Sequence, residues 1–112
     1  MAVTTTPLSN PVAAALVVDT DSDATSESDV RTGATTVYLI DIDNTLNAAI
    51  TYTKLYNSLA PTIGTTAPDL ILPTAASVRA VVALPAGYAF ATGLSFASVT
   101  AGGTAGTTGP PS

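Results

Sequence analysis

Hydrophobic positions of this chain alternate with polar positions in several short runs. From Thr35 to Asp43, the side chains of Tyr38, Ile40 and Ile42 fall on one face of an extended segment. The same period of two recurs from Ala48 to Tyr56. Such alternation predicts half-buried β-strands, and the short polar turn between the two runs predicts that they form a hairpin.

Further apolar runs predict three more strands in the second half of the chain. Leu70 to Leu72 is a short run that Pro73 ends, Val78 to Leu84 alternates again, and Leu94 to Thr100 is the last run. Between the last two, the order Leu84-Pro85-Ala86-Gly87 is typical of a type I turn. Short β-rich runs with frequent turn signals predict an all-β fold, a single antiparallel β-sandwich or jelly-roll-like domain.

Both ends of the sequence predict segments outside this domain. Residues 1–10 contain three consecutive threonines and Pro7 but few apolar residues, which predicts a flexible N-terminal arm. Residues 101–112 are rich in glycine, threonine and proline, which predicts a flexible C-terminal tail. The β-sandwich domain is therefore expected over residues 11–100, where Val12 to Asp19 is the first apolar run.

Charged side chains are scarce and unevenly placed. The 112 residues, enough for one domain, are 10% charged, whereas soluble domains average roughly 25%. From Asn44 to Ser112 the only charged side chains are Lys54, Asp69 and Arg79. Because the chain also lacks cysteine, no disulfide can stabilise its modest core. We therefore expect other molecules to cover part of its surface.

The charge balance also excludes several classes of partner. The net charge is -5, and no cluster of lysine and arginine could neutralise the phosphates of a nucleic acid. No apolar run approaches the roughly 20 residues of a membrane-spanning helix. The first residues lack the basic region of a signal peptide. Neither nucleic acid nor a membrane is therefore an expected partner.

One strand leads into a motif known from catalysis. The segment Val37 to Leu46 carries Asp41-x-Asp43-x-Thr45 and resembles the first motif of haloacid-dehalogenase-like phosphatases. The resemblance implies that Asp41 would be the nucleophile and Asp43 the general acid. Phosphoryl transfer also needs a downstream lysine and an acidic cluster that holds magnesium. Only Asp69 follows the motif as a carboxylate, so a strand ending in a polar turn, without enzymatic activity, is the favoured interpretation.

An acidic segment offers a possible metal site. Residues 19–29 form the predicted acidic loop, in which Asp19 to Asp23 carries carboxylates at alternate positions, as calcium loops do. The sixth position is Ala24 instead of glycine, and the twelfth is Val30 instead of glutamate, so the EF-hand pattern is not met. The absence of histidine excludes Ser-His-Asp catalysis and histidine-bound zinc. A solvated acidic loop without metal or cofactor is the expectation, with adventitious calcium as the alternative.

Three segments together resemble small virion structural proteins of tailed bacteriophages. They are Thr51 to Asn57 (TYTKLYN), Pro61 to Pro68 (PTIGTTAP) and Leu84 to Thr107, within a similarity that extends over about Ser28 to Thr108. The resemblance implies a noncatalytic protein located in the virion, either a capsid decoration or cement protein or a neck or tail component. It implies two kinds of partner, further copies in a homotrimer or other closed oligomer, and the major capsid or tail proteins.

Candidate interface residues lie in the arms and on the predicted strands. Disordered arms gain order when they bind neighbouring subunits, and tyrosines pack well at interfaces. Deleting either arm is expected to weaken attachment while the sandwich stays folded. A host-surface carbohydrate-binding module is the alternative for the tyrosines, although the chain has no tryptophan. The candidate interface residues are Thr4, Thr5, Thr6, Pro7, Tyr52, Lys54, Tyr56, Tyr88, Thr107 and Pro110.

Overall fold

The computed structural model describes residues 3–7, 15–20 and 22–110. Within these residues the chain contains no helix and forms eight strands, which confirms the all-β prediction. The strands are β1 (Val3–Pro7), β2 (Ala15–Asp19), β3 (Glu27–Thr32), β4 (Thr35–Asp43), β5 (Thr51–Asn57), β6 (Leu70–Thr74), β7 (Arg79–Phe90) and β8 (Gly93–Val99).

The described strands form three antiparallel sheets. A four-stranded central sheet has the order β3-β8-β5-β6, and the pairs β4–β7 and β1–β2 form two smaller sheets. In the central sheet Leu55 pairs with Phe96 on one side and with Leu70 on the other. This inner face meets Phe90 of the β4–β7 sheet, and Leu55, Phe90 and Leu94 are the buried centre of the core. The result is a β-sandwich-like domain.

The C-terminal segment covers the second face of the central sheet. Successive side chains of a strand point to opposite faces, so Lys54 points away from the core that contains Leu55. Its ammonium donates hydrogen bonds to the backbone carbonyls of Thr104 (3.4 Å) and Gly106 (3.1 Å). The amide of Thr100 donates to the carbonyl of Thr108 at 2.8 Å. Residues 101–110, predicted to be a flexible tail, are therefore packed against the domain.

The N-terminal segment also differs from the prediction. Val3–Pro7, expected to lie in an arm, pairs with β2 from Val3 opposite Asp19 to Pro7 opposite Ala15. We call this pair the β1–β2 ribbon. Its β2 strand leaves Leu16 and Val18 exposed. The prediction of a flexible arm rested on the scarcity of apolar residues and did not take account of the high β-propensity of threonine.

The predicted hairpin between β4 and β5 is not formed. β4 pairs with β7, whereas β5 lies between β6 and β8 in the other layer of the sandwich. The loop between β4 and β5 is instead organised by the buried side chain of Asn44. Its amide nitrogen donates to the carbonyls of Ala49, Thr74 and Ala75 at 2.9 to 3.2 Å. These bonds fix the crossing of the chain from one sheet to the other.

Asn44 is also an acceptor for two buried donors. Its Oδ1 accepts from Asn47 Nδ2 and from Thr51 Oγ1, each at 2.8 Å. The side chain therefore uses both ends of its amide within the loop. A local turn preference predicts a reversal at this point, but a side chain that satisfies backbone groups from two segments stabilises a crossover.

The predicted turn at Pro85-Ala86-Gly87 is part of a continuous strand. Val37 lies opposite Tyr88 and Leu39 lies opposite Ala83, so β7 advances five residues while β4 advances two. The extra residues form a bulge, in which Gly87 has a positive φ of 77°. The turn-forming residues are thus accommodated inside β7. A second difference is β3, which occupies the end of the predicted acidic loop.

Candidate functional site

The outer face of the β4–β7 sheet exposes apolar side chains. Leu39 and Val81 lie on this face and are 58% and 59% exposed, and Leu46 in the following loop is 89% exposed. Leu39 and Val81 are diagonal neighbours, because Leu39 lies opposite Ala83. Groups of exposed apolar side chains are a common mark of interaction surfaces. We call this surface, formed by Leu39, Asp41, Asp43, Arg79, Val81 and Ala83, the outer face.

Two carboxylates share the outer face with these apolar groups. Asp41 accepts a bidentate pair of hydrogen bonds from Arg79, at 2.9 Å from Nε and 2.5 Å from Nη2. Asp43 accepts from the hydroxyl and the backbone amide of Thr45. The hydrogen bonds from Arg79 lower the pKa of Asp41, and those from Thr45 lower the pKa of Asp43. Both carboxylates are therefore charged at neutral pH.

The structure separates the residues of the phosphatase-like motif from the lysine. Asp41 and Asp43 lie on the solvent side of a two-stranded antiparallel sheet. Lys54 lies on the far face of the central sheet, where Thr104 and Gly106 hold its ammonium. The carboxylates and the lysine thus lie in different layers of the molecule. The arrangement does not bring together the groups that phosphoryl transfer requires.

A groove of about 270 Å³ lies between β2, β4 and the central sheet. Its floor contains the apolar side chains of Leu55, Leu94 and Phe96, flanked by the polar residues Thr51, Thr53 and Ser98 of the same sheet. Val17 and Asp19 line the side formed by β2, and the consecutive residues 39–43 line the side formed by β4. Successive residues of a strand can line the same groove only along the edge of the strand. We call this cavity the β2–β4 groove.

The acidic segment before β3 is attached to the central sheet. The carbonyl of Asp23 accepts from the amide of Ser98 at 2.8 Å, and the hydroxyls of Ser22 and Ser98 are 2.8 Å apart. The carboxylate of Asp23 accepts from the amide of Thr25 at 2.8 Å. Asp21, one of the predicted calcium ligands, lies outside the described residues. Among those that are described, no three acidic, histidine or cysteine residues could together hold a metal.

The candidate interface residues do not form one surface. Thr4 and Thr5 are exposed on the β1–β2 ribbon, whereas the side chains of Thr6 and Pro7 lie outside the described part of the structure. Tyr88 lies at the other sheet, where its hydroxyl donates to Asp69 at 3.2 Å.

The remaining candidates lie on the covered face of the central sheet or in its cover. Lys54 and Tyr56, expected to face a partner, are fully buried within the chain. Burial lowers the pKa of Lys54 and raises the pKa of Tyr56. Tyr52 is half-buried beside Gly102, where an added Cβ would meet its ring at 3.1 Å. The candidates of the C-terminal segment are the exposed Thr107 and the half-buried Pro110.

The tyrosines likewise do not assemble a platform for a sugar ring. Tyr56 has no exposed surface, and Tyr52 lies under the C-terminal segment. Tyr88 packs against Phe90 at a centroid distance of 5.0 Å and an interplanar angle of 55°. A sugar-binding site stacks its ligand on an exposed aromatic face, so this distribution favours packing roles.

Sequence reasoning missed the outer face and the β2–β4 groove. The alternation of β4 did place Leu39 and Asp41 on a common side, which is the local signal for the outer face. The groove has no such signal, because it depends on where β2 and β8 lie relative to the edge of β4.

Comparisons with known proteins leave the fold and these surfaces as the basis for a function. No family model matches the sequence, and no curated protein and no solved structure is significantly similar to it. In the part of the chain that the structure describes, no helix is long and apolar enough to cross a membrane.

Proposed function

We propose that this chain is a noncatalytic structural protein of a bacteriophage virion, which decorates or cements the capsid by binding adjacent shell subunits. The observation that carries the proposal is the outer face, where Leu39 and Val81 are more than half exposed on a regular sheet. Covering such a surface with a partner favours association by about 25 cal/mol for each Å² of apolar area that is removed from water. The kind of partner is inferred from the three sequence segments that resemble small virion proteins, 51–57, 61–68 and 84–107.

The β1–β2 ribbon supplies a second contact. A two-stranded ribbon alone is at best marginally stable in water, and among the described strands β1 pairs only with β2. The exposed Leu16 and Val18 lie on one side of the ribbon, and their partners in the register of β1 are Thr6 and Thr4. Packing that side on a neighbouring subunit stabilises both molecules. The ribbon therefore takes the role that the sequence had given to a flexible arm.

Individually weak contacts are sufficient for attachment to a symmetric particle. Each copy in a closed oligomer such as a homotrimer presents the same outer face and the same ribbon. Simultaneous binding at several sites raises the overall affinity without any new contact. The scarcity of charge over the second half of the chain fits a protein with neighbours on several sides, since charged residues are depleted at interface cores.

The test uses purified particles of the phage whose genome encodes the chain. We expect the protein to co-purify with particles through a density gradient and to appear on the shell by electron cryomicroscopy. Leu39→Ser combined with Val81→Ser should reduce its occupancy, whereas Leu59→Ser, an apolar residue outside both surfaces, should not. Thermal unfolding of the isolated variants establishes that each of them folds.

Several outcomes would contradict the proposal. Particles without the protein would exclude a virion role. Density at the neck or tail would support a structural role and exclude the cementing role. Full occupancy of the outer-face variant would show that other residues make the contact. Deleting residues 101–112 is a poor test, because it removes the acceptors of Lys54 and disturbs the fold itself.

A further inference from the structure

We propose that the β2–β4 groove binds an extended segment of a partner protein, which adds a strand to β4 and alternates apolar side chains with lysine or arginine. The proposal rests on the proposed function and names the partner's chemistry at the groove beside the outer face, which shares Leu39, Asp41 and Asp43 with that face. It is carried by three observations, which are the hydrogen-bonding direction of β4, the shape of the groove and the charge around it.

The backbone of β4 has hydrogen-bonding groups that point into the groove. The amide of Asn44 donates to the carbonyl of Val78 at 3.0 Å, which makes these two residues a hydrogen-bonded pair of the antiparallel ladder. Such pairs occur at every second residue, so Ile42 and Ile40 also point their amides and carbonyls toward β7. Leu39, Asp41 and Asp43 then point theirs the other way.

This outward edge of β4 is open within the described structure. The strands described there pair β4 with β7 alone, and no backbone hydrogen bond between described residues joins Leu39, Asp41 or Asp43 to a further strand. The three residues all line the β2–β4 groove. An unpaired strand edge is a template for another strand, and proteins use it to bind extended peptides. The edge from Val37 to Asp43 covers six residue steps, or about 20 Å.

The size of the groove suits side chains of a strand. At about 270 Å³ it lies below the roughly 300 to 1,000 Å³ that encloses a drug-sized molecule. A strand added to β4 would place every second side chain over the floor of Leu55, Leu94 and Phe96. The inward side chains that lie over these three residues contact an apolar surface, so apolar residues are selected at those alternate positions of the partner.

The other side chains of an added strand would lie beside carboxylates. Asp41 and Asp43 project from the outer face of β4, and residues directly opposite in neighbouring strands have Cβ atoms about 5 Å apart. Asp19 lines the facing side of the groove. No lysine or arginine lines it among the described residues, and Arg79 is bound to Asp41 from β7. Lysine or arginine is therefore selected at the remaining positions.

The same charges disfavour a second copy of this chain as the occupant. The whole sequence has only three cationic side chains and a net charge of -5. No segment of it alternates apolar residues with lysine or arginine. A partner of a different sequence is required by this pattern.

Amide hydrogen exchange measured by NMR tests the proposal on the full chain. The probe is a capped heptapeptide of alternating valine and lysine, and the control probe alternates valine and glutamate. We expect saturating lysine peptide to slow exchange at Leu39, Asp41 and Asp43 by about tenfold or more, because their amides gain hydrogen bonds. Ile40 and Ile42 should be protected already. The glutamate peptide should change none of these rates.

A pair of variants separates the strand edge from the side chain. Leu39→Pro removes an amide that points into the groove and leaves the ladder to β7 intact, because proline is tolerated at such edge positions. It should abolish binding of the lysine peptide, whereas Leu39→Thr, which keeps the amide, should retain it. If Leu39→Pro does not fold, the exchange rates of the unaltered chain decide the matter alone.

Three results would overturn the proposal. Slow exchange at Leu39, Asp41 and Asp43 in the free chain would mean that its own residues already occupy the edge. Protection that grows with protein concentration, without peptide, would identify a second copy as the occupant. An equal effect of both peptides would refute the charge argument. Particle binding is measured separately, so a chain that binds the peptide but no particle would refute only the virion role.

Discussion

Replacing Asn44 by alanine should remove a large share of the stability of this domain. The side chain is 1% exposed and connects the β4–β5 loop with the end of β6. Its two amide protons are shared among three carbonyls, and its oxygen accepts from Asn47 and Thr51. Alanine removes all of these hydrogen bonds and leaves a buried hydroxyl at Thr51 without its acceptor.

The expected loss can be worked from these contacts. Two donated and two accepted bonds, at about 1 kcal/mol net for each, give about 4 kcal/mol. A domain of ordinary stability unfolds with a free energy of roughly 5 to 15 kcal/mol, so the variant would be close to unfolding at room temperature. Asn57→Ala is the matched control. The carboxamide oxygen of Asn57 accepts one bond, from the amide of Thr92 at 2.8 Å, in an exposed setting, so it should cost about 1 kcal/mol or less.

Urea unfolding followed by circular dichroism measures both free energies. The midpoint should fall far more for Asn44→Ala than for Asn57→Ala, with the slope of the transition unchanged. A difference between the two variants below about 1 kcal/mol would refute the assignment of Asn44 as the organising side chain.

A third variant tests the direction of the hydrogen bonds. Asn44→Asp keeps an acceptor for Thr51 but turns a carboxylate oxygen toward three carbonyls, which raises the pKa of that carboxyl in the folded state. Its native-state stability is then greatest below the unfolded pKa of about 3.9 and falls as the pH rises. The variant should therefore lie closer to the parent chain at pH 4 than at pH 7.

Three further predictions concern the buried lysine, the bulge and the surface carboxylates. Burial lowers the pKa of Lys54. Between this lowered pKa and the unfolded value of about 10.4, the folded chain therefore binds fewer protons than the unfolded chain, and its unfolding free energy should rise with pH over that range. Lys54→Met should lack this rise, and parallel profiles in urea titrations would contradict the account. Gly87→Ala should lower the melting temperature more than Gly103→Ala. Both glycines have positive φ, but only a Cβ at Gly87 meets other side chains, those of Thr36 and Tyr38. Hydrogen bonds from Thr45 lower the pKa of Asp43, so this group's stabilisation is present above about pH 3.9 and is lost as acid protonates it. Asp43→Asn should reduce that acid sensitivity, and an unchanged acid midpoint would contradict it.

Local patterns were sufficient for most strands. The predicted limits of the strand from Thr35 to Asp43 coincide with β4, and the last predicted strand lies within one residue of β8 at either end. Alternation of side chains between two faces is a property of each segment alone, so the sequence reports it directly. The limit of β6 was predicted wrongly, because the strand does not end at Pro73 but continues through it to Thr74. A proline is tolerated there because β6 is an edge strand and Pro73 is exposed.

Pairing between strands depended on information that lies elsewhere in the chain. β5 pairs with β8, and Lys54 lies opposite Ala97, so neither segment alone indicates its neighbour. The hairpin rule failed because Asn44 satisfies backbone groups of its own loop and of the distant segment at Thr74 and Ala75. The same holds for the β2–β4 groove, which exists only once three separate strands are in place.

The C-terminal segment shows how one charge can order a sequence of low complexity. Glycine, threonine and proline predict a loose tail, and no apolar pattern in residues 101–110 indicates packing. The signal was in β5 instead, where a lysine on the same face as Tyr52 requires either solvent or a partner. Backbone carbonyls met that requirement, and any sequence with free carbonyls could have supplied them.

Lys54 is synthesised 50 residues before Thr104 and 52 residues before Gly106. At about 5 to 20 residues per second, the nascent β5 segment spends roughly 3 to 10 s without the carbonyls that will accept its ammonium. During that interval the ammonium is the only charge between Ala48 and Asn57, in a β-prone run that would otherwise favour aggregation. The group that is costly to bury in the finished domain is thus also the charge that opposes aggregation of this run in the unfinished chain.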